Sequence, residues 1–266
     1  MIKIYDHNES VCCQKVRLTL AEKGVEFKNI HVAIEDGEQY NEAFLKLNPA
    51  GVVPVAVHKG NVITESTIIN EYINEAFSGP QLMPTEPYWR AKKRSWSHLL
   101  DSEIHLPHTT CLSFVVALRF VFLDSLNTPE KLAEHFANVK NPENRLMQKD
   151  AIEQGYKAPQ FTLAVIAFDN MLEKMDRQLE QSPWLAGNTI SLADLDVAPY
   201  IHRLESLKLS NMWTKYPKVS VWYENMKARP SWDVAIKQQH IDKWVELMSK
   251  TGEAAWAEVS NILNRK

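Results

Sequence analysis

A chain of 266 residues, 45% hydrophobic and 24% charged, is long enough for one to two domains with a full core, and this excludes a largely disordered, collagen-like or disulfide-scaffold protein. Thirty basic side chains against thirty-three acidic ones leave a net charge of −3, so no global field draws the protein to nucleic acid or to an anionic membrane. Cys12, Cys13 and Cys111 are odd in number and the first two are adjacent, a poor arrangement for bridging, so free thiols and a reducing cytoplasm are expected.

The opening segment carries Lys3, Asp6 and Glu9 and lacks the apolar run of a signal peptide. Ile2 to Tyr5 alternates with period two and predicts a strand; Val16, Leu18, Leu20 and Ala21 then recur with helical spacing up to Gly24, a suitable residue just past a helix end. Phe27 to Val32 reads as a second strand, and Asn41 to Leu47 as a short helix stopped at Asn48-Pro49. Two strands follow, Pro54 to His58 and Val62 to Thr64, joined through Lys59-Gly60 as a hairpin, and then a helix from Ser66 to Phe77. A βαβ unit makes parallel strands and the hairpin makes an antiparallel pair, so the sheet is expected to be mixed and four-stranded, with helices against it.

Composition shifts near residue 80. Residues 1–80 hold seven Lys or Arg against eleven Asp or Glu and no Trp, whereas all eight Trp follow. The prolines at 80, 84 and 87 mark a linker, which divides the chain into an α/β part, 1–80, and an all-α part, 88–266. In the second part Trp89 to Leu126, Phe161 to Leu179, Leu192 to Leu207 and Val219 to Ala228 repeat apolar residues every three or four positions and predict a helical bundle. Asn127 to Pro159 is polar and reads as short helices and loops. The longest run without a formal charge, Ile104 to Leu118, is too short to span a bilayer.

Several positions could carry chemistry. Ser10 falls at the start of the first helix, where unpaired backbone donors and the helix dipole favour negative charge; taken alone, a plain helix cap is the commoner role of such a serine. Cys12 and Cys13 lie in the first turn, where a thiol pKa can be depressed, although small buried hydrophobes are the commoner fate of free cysteine. Val53-Pro54 begins a strand; in the cis form it would turn the Val53 backbone toward an extended, peptide-like ligand. Glu65-Ser66 ends one strand and opens a helix, offering an anion to an ammonium and a hydroxyl to a carboxylate. Ser191 to Asp194 has the form of a capping box and is assigned to folding. His98, His105 and His108 are separated by Pro107, which is expected to break the helix, and no metal site is expected. The tryptophans are expected to pack the core and to supply an aromatic wall for a substrate.

Together, Ser10 to Arg17 (SVCCQKVR), Leu47 to Pro54 (LNPAGVVP) and Thr64 to Ser66 (TES) resemble the glutathione site of the cytosolic glutathione transferase superfamily, with Ser191 to Asp194 similar to its second-domain folding motif. The resemblance covers nearly the whole chain. It implies a thioredoxin-like glutathione-binding domain, an all-helical substrate-binding domain and a homodimer. It places Ser10 as the hydroxyl that stabilises the glutathione thiolate, and Cys12 where a bacterial class has its cysteine. Val53 becomes the backbone partner of the cysteinyl unit, Pro54 the cis-proline, Glu65 and Ser66 the γ-glutamyl binders, and Gln39 a residue near the glycyl end. Val52 stands where many relatives carry Gln or Lys, which removes one side-chain contact. The long C-terminal part resembles the bacterial β-aryl etherases, a group in which the thiolate site falls at the position of Cys13, so the choice between Ser10 and Cys13 stays open.

The implied reaction is attack by glutathione on a hydrophobic electrophile, with β-aryl ether cleavage as one form. A free thiol has a pKa of about 8.5, and lowering that value by about two makes thiolate the major species, a differential stabilisation of about 2.7 kcal/mol. Two rivals are a Cys12-dependent thiol transferase or dehydroascorbate reductase, and a non-catalytic glutathione-fold binding module.

Overall fold

The computed structural model describes residues 1–265 and forms two compact units. The first gathers residues 1–97, 181–199 and 221–241; the second gathers 98–180, 200–220 and the described residues from 242 on.

In the first unit β1 (Ile2–Asp6), α1 (Val11–Lys23) and β2 (Phe27–His31) make the expected parallel crossover, and Gly24 ends α1 in the left-handed conformation, φ 66°. A short α2 (Glu42–Leu45) precedes the hairpin of β3 (Val55–His58) and β4 (Asn61–Ile63), which turns through Lys59 and Gly60, both at positive φ. α3 (Ser66–Ala76) follows, and the sheet order is β2-β1-β3-β4 with only β1 and β2 parallel. Alternation along β1 fills two cores. Ile2 and Ile4 pack with Val16, Leu20, Ala56, Ile69 and Ile73, whereas Tyr5 on the opposite face meets Val32, Phe44 and Val55.

This topology fixes where the candidate residues lie. Tyr5 pairs with Val55 in antiparallel register, so the end of β1 and the start of β3 lie at one end of the sheet, and the hairpin returns the end of β4 to that same end. Ser10, Val53-Pro54 and Glu65-Ser66 therefore all emerge together, although they are far apart in sequence.

A continuous helical run, α4, spans Pro87–Ser125. Pro107 does not break it, contrary to the sequence expectation. Leu100–Thr109 is π-helical, and the hydroxyls of Thr109 and Thr110 donate to the carbonyls of Ile104 and His105, five residues back, across the stretch where proline supplies no N–H. By length and composition α4 could cross a bilayer, yet Leu100, Ile104, Cys111, Leu112, Val115 and Val116 are buried within the second unit, as in a core helix.

Two helices, α5 (Pro129–Asn138) and α6 (Pro142–Gln154), fill the polar stretch, each opened by a side-chain cap, Thr128 or Asn141, and a proline. They are followed by α7 (Pro159–Leu179), α8 (Leu192–Ser206), α9 (Pro217–Lys227) and α10 (Pro230–Ala235). The last helix, α11 (Asp242–Leu263), was not read from the sequence; it packs against α7 and against the Phe114–Leu118 stretch of α4, and it buries Trp244, Met248, Ala255 and Val259.

Before α8 the capping box forms as its pattern implies. Asp194, fully buried, accepts from the N–H and hydroxyl of Ser191, from the Leu185 N–H and from Trp222 Nε1, all at 2.9–3.0 Å. Burial pushes its carboxyl pKa up, against these four hydrogen bonds.

Candidate glutathione site

Ser10 is the N-cap of α1. Its backbone is extended, its own N–H closes a turn onto the His7 carbonyl at 3.0 Å, and its Oγ accepts from the Cys13 N–H at 3.3 Å. A hydroxyl that accepts through a lone pair still has its proton to donate. The side chain is half-buried, at the mouth of the helix dipole.

The two neighbouring thiols differ. Cys12 is partly exposed in the first turn, whereas Cys13 is fully buried and its sulfur accepts from the His7 N–H at 3.4 Å. Burial, with Asp6 nearby, holds the Cys13 pKa well above that of an ordinary thiol, which opposes ionisation there. Cys111 lies in the second unit, its pKa pushed up to about 12 by burial.

Val53 precedes Pro54 through a cis peptide bond and stands outside the paired registers of β3, with its side chain packed toward Val32, Phe44 and Val55. Val52 is exposed, and its carbonyl accepts from Asn48 Nδ2 at 2.8 Å. Glu65 is exposed and holds φ 66°, ψ 113°, a left-handed φ that L side chains avoid. Ser66, the first residue of α3, is buried. Gln39 is drawn inward, only 9% exposed, with Nε2 donating to the Ile34 carbonyl at 3.2 Å.

Three residues that the sequence reading passed over support this end of the sheet. Lys15 is fully buried and donates to Ser66 Oγ at 3.2 Å, so a cation from α1 stands behind the start of α3. Arg17 is buried against Asp6, with contacts of 2.7 and 2.8 Å to its two oxygens. Asp196 accepts from Asn70 at 2.8 Å and from Ser97 at 2.9 Å, with Lys93 Nζ at 3.6 Å, and so anchors α3 to α4 and α8. A signal was available for the first two: cations in the opening half of a helix oppose its dipole unless something nearby holds them. His7, next to Ser10's loop, pairs with Glu35 at 3.1 Å; burial lowers its pKa despite that carboxylate.

No group of three or more His, Cys, Asp or Glu suited to a metal ion occurs among the described residues.

Residues 1–75 match the family description "Glutathione S-transferase, N-terminal domain" and residues 149–225 match "Glutathione S-transferase, C-terminal domain". Between them these cover more than half of the sequence, and the chain belongs to the glutathione S-transferase family.

Among its relatives, Protein LigF of Sphingobium sp. (strain NBRC 103272 / SYK-6) is 28% identical over 240 residues, covering 86% of this chain and 91% of that protein. Glutathione S-transferase Z1 of Arabidopsis thaliana is 28% identical over 241 residues, covering 91% and 94%. The crystal structure of Beta-etherase LigF from Sphingobium sp. strain SYK-6 superposes with a TM-score of 0.77 at 27% identity, covering 90% of this chain and 98% of that one. The fold, the transferase activity and glutathione as co-substrate follow from this membership.

Proposed function

We propose that Ser10 is the catalytic hydroxyl and that glutathione lies along the end of the sheet formed by the ends of β1 and β4 and the start of β3. The observation that carries this reading is the Ser10 hydroxyl itself, which accepts from the Cys13 N–H at 3.3 Å and has its proton left to donate to a sulfur at the α1 N-terminus. The Val53 main chain would pair with the cysteinyl unit. Glu65 would take the γ-glutamyl ammonium and Ser66 its carboxylate, and Gln39 would serve the glycyl end only if it turns outward from its bond to Ile34.

The electrophile we infer is a hydrophobic aryl ether, from the likeness to the β-etherase LigF. The thiolate would attack the ether-bearing carbon and form the C–S bond as the C–O bond breaks. The electron pair leaves on a phenolate, which takes a proton from solvent. In the division of labour we propose, residues 1–80 carry glutathione and residues 88–266 contact the electrophile. The protein would act as a cytoplasmic homodimer, away from membranes and nucleic acid.

Partial exposure of Cys12 in the same helical turn favours one rival, a mixed disulfide between Cys12 and glutathione. Ser10→Ala and Cys12→Ser, assayed separately for conjugation, ether cleavage and disulfide reduction, decide between them. The Ser10 reading requires that Ser10→Ala lowers conjugation about a hundredfold while Cys12→Ser leaves it intact. Loss with the cysteine change alone overturns it. Failure of the wild-type protein to bind immobilised glutathione would support the non-catalytic module instead.

A further inference from the structure

Ser10 hangs from a short loop, residues 7–9, and three side chains, Asn8, Glu9 and Arg17, tie that loop to a segment more than two hundred residues away. Arg17 meets Asp6 through its Nη1, at the end of β1, and this contact alone would neutralise its charge. The guanidinium does more. Its Nη2 donates to the Asn8 carbonyl at 2.6 Å, its Nη1 reaches the His7 carbonyl at 3.5 Å, and its Nε donates to the Ala235 carbonyl at 2.8 Å, just where α10 ends. From the other side Asn8 Nδ2 donates to the Gln239 carbonyl at 2.8 Å, and the Ile241 N–H approaches the Glu9 carboxylate at 3.5 Å. Residues 235–241 therefore grip the loop on both of its flanks, through main-chain atoms that depend on no side chain of the strap.

We propose that Asn8 and Arg17 are positioning residues, which set the Ser10 hydroxyl against the glutathione sulfur by fastening the 7–9 loop to the 235–241 strap. Hydrogen-bond strength falls steeply with misalignment, so a loop released by even a fraction of an ångström donates poorly to the thiolate. The tripeptide itself is gripped elsewhere, at Val53, Glu65 and Ser66. Release of the loop therefore acts on the acidity of the thiol and leaves the affinity for glutathione alone. The inference rests on Ser10 as the catalytic hydroxyl.

The test compares wild type, Asn8→Ala, Arg17→Lys and Ser10→Ala, with glutathione and an aryl ether or a generic aryl halide. It reads the ultraviolet thiolate band of bound glutathione, the pH profile of turnover and the melting temperature. Asn8→Ala removes one bond and leaves the Asp6–Arg17 pair in place; Arg17→Lys keeps the charge and loses the fork.

In both variants the thiolate band should reach its midpoint at higher pH, and kcat at neutral pH should fall about tenfold, with recovery in alkaline buffer. The KM for glutathione should stay within about twofold of wild type. An unmoved thiolate midpoint in Asn8→Ala and Arg17→Lys overturns the proposal. So does a loss of turnover that is equal at every pH and accompanied by a lower melting temperature, which is the mark of a merely structural brace. If Ser10→Ala itself leaves the band and the turnover unchanged, the Ser10 reading fails and this one with it. If Ser10→Ala abolishes the band and the loop variants do not move it, only the positioning role is lost.

Discussion

Lys15 Nζ donates to Ser66 Oγ at 3.2 Å, although 51 residues separate them, and a hydroxyl that accepts in this way keeps its proton to donate. A hydroxyl that accepts from a buried ammonium is a stronger donor to a carboxylate than one left to itself.

Lys15→Met keeps the bulk of the stem and removes the cation. The KM for glutathione should then rise about tenfold, with kcat changed far less, because a charge-assisted contact of about 1.5 kcal/mol is lost from binding rather than from the transition state. Steady-state kinetics with varied glutathione measure this, and Ser66→Ala sets the scale. A loss confined to kcat would contradict the assignment.

Asp194→Ala should destabilise the protein by about 3 kcal/mol, since it strips partners from Ser191, Leu185 and Trp222 inside a closed core. Chemical denaturation with intrinsic tryptophan fluorescence reads the change, and Trp222 itself reports the site. Asp194→Asn should recover part of the loss, because burial already favours the uncharged carboxyl.

Glu22 gives the fold an acid-sensitive tie. Burial alone would raise its pKa, but hydrogen bonds from Arg229 and Ser231 bring it below the ordinary value of 4.5. A carboxyl depressed in the folded state contributes stability that is complete above its unfolded pKa and is lost as the pH falls through the folded one. Melting temperature should therefore drop on acidification below about pH 4.5, and Glu22→Gln should flatten that part of the profile.

Gly252, in α11, packs against the backbone of Leu207 so closely that a Cβ there would stand 2.1 Å from its carbonyl oxygen. Gly252→Ala should cost about 2 kcal/mol by overpacking, and equilibrium unfolding measures it. Leu207 offers only rigid main chain at that point, so a rotamer change cannot absorb the methyl.

Much of this was legible in the chain. Period-two alternation at Ile2 to Tyr5, the Gly24 stop and the Lys59-Gly60 turn are local signals, and each produced its element to within a residue or two. Ser10, Ser66 and the Val53-Pro54 pair stood out as candidates because they sit at element boundaries. Burial of Cys13 against exposure of Cys12 was not, because adjacent helix positions point about 100° apart and the sequence alone does not say which faces the sheet. Lys15, Arg17 and Asn8 escaped for a related reason: their partners at 66, 235 and 239 come from distant elements, and contacts of that range leave no periodicity. α4 runs through Pro107 in a π register, with hydroxyls at 109 and 110 bonded five residues back, which a rule about proline in helices does not contain. α11 did carry a legible stripe, Trp244, Met248, Ala255 and Val259, interrupted at 252 by the glycine that its close approach requires.

The φ of 66° at Glu65 sets two demands on one position at odds. Glycine would relax the backbone there, and a drift of this gene toward a sturdier fold would meet no resistance from packing, since the side chain points to solvent. What it would forfeit is the carboxylate that, in the function proposed above, takes the ligand's amine. Durability and recognition thus compete at a single residue, and the glutamate there records which of the two has prevailed.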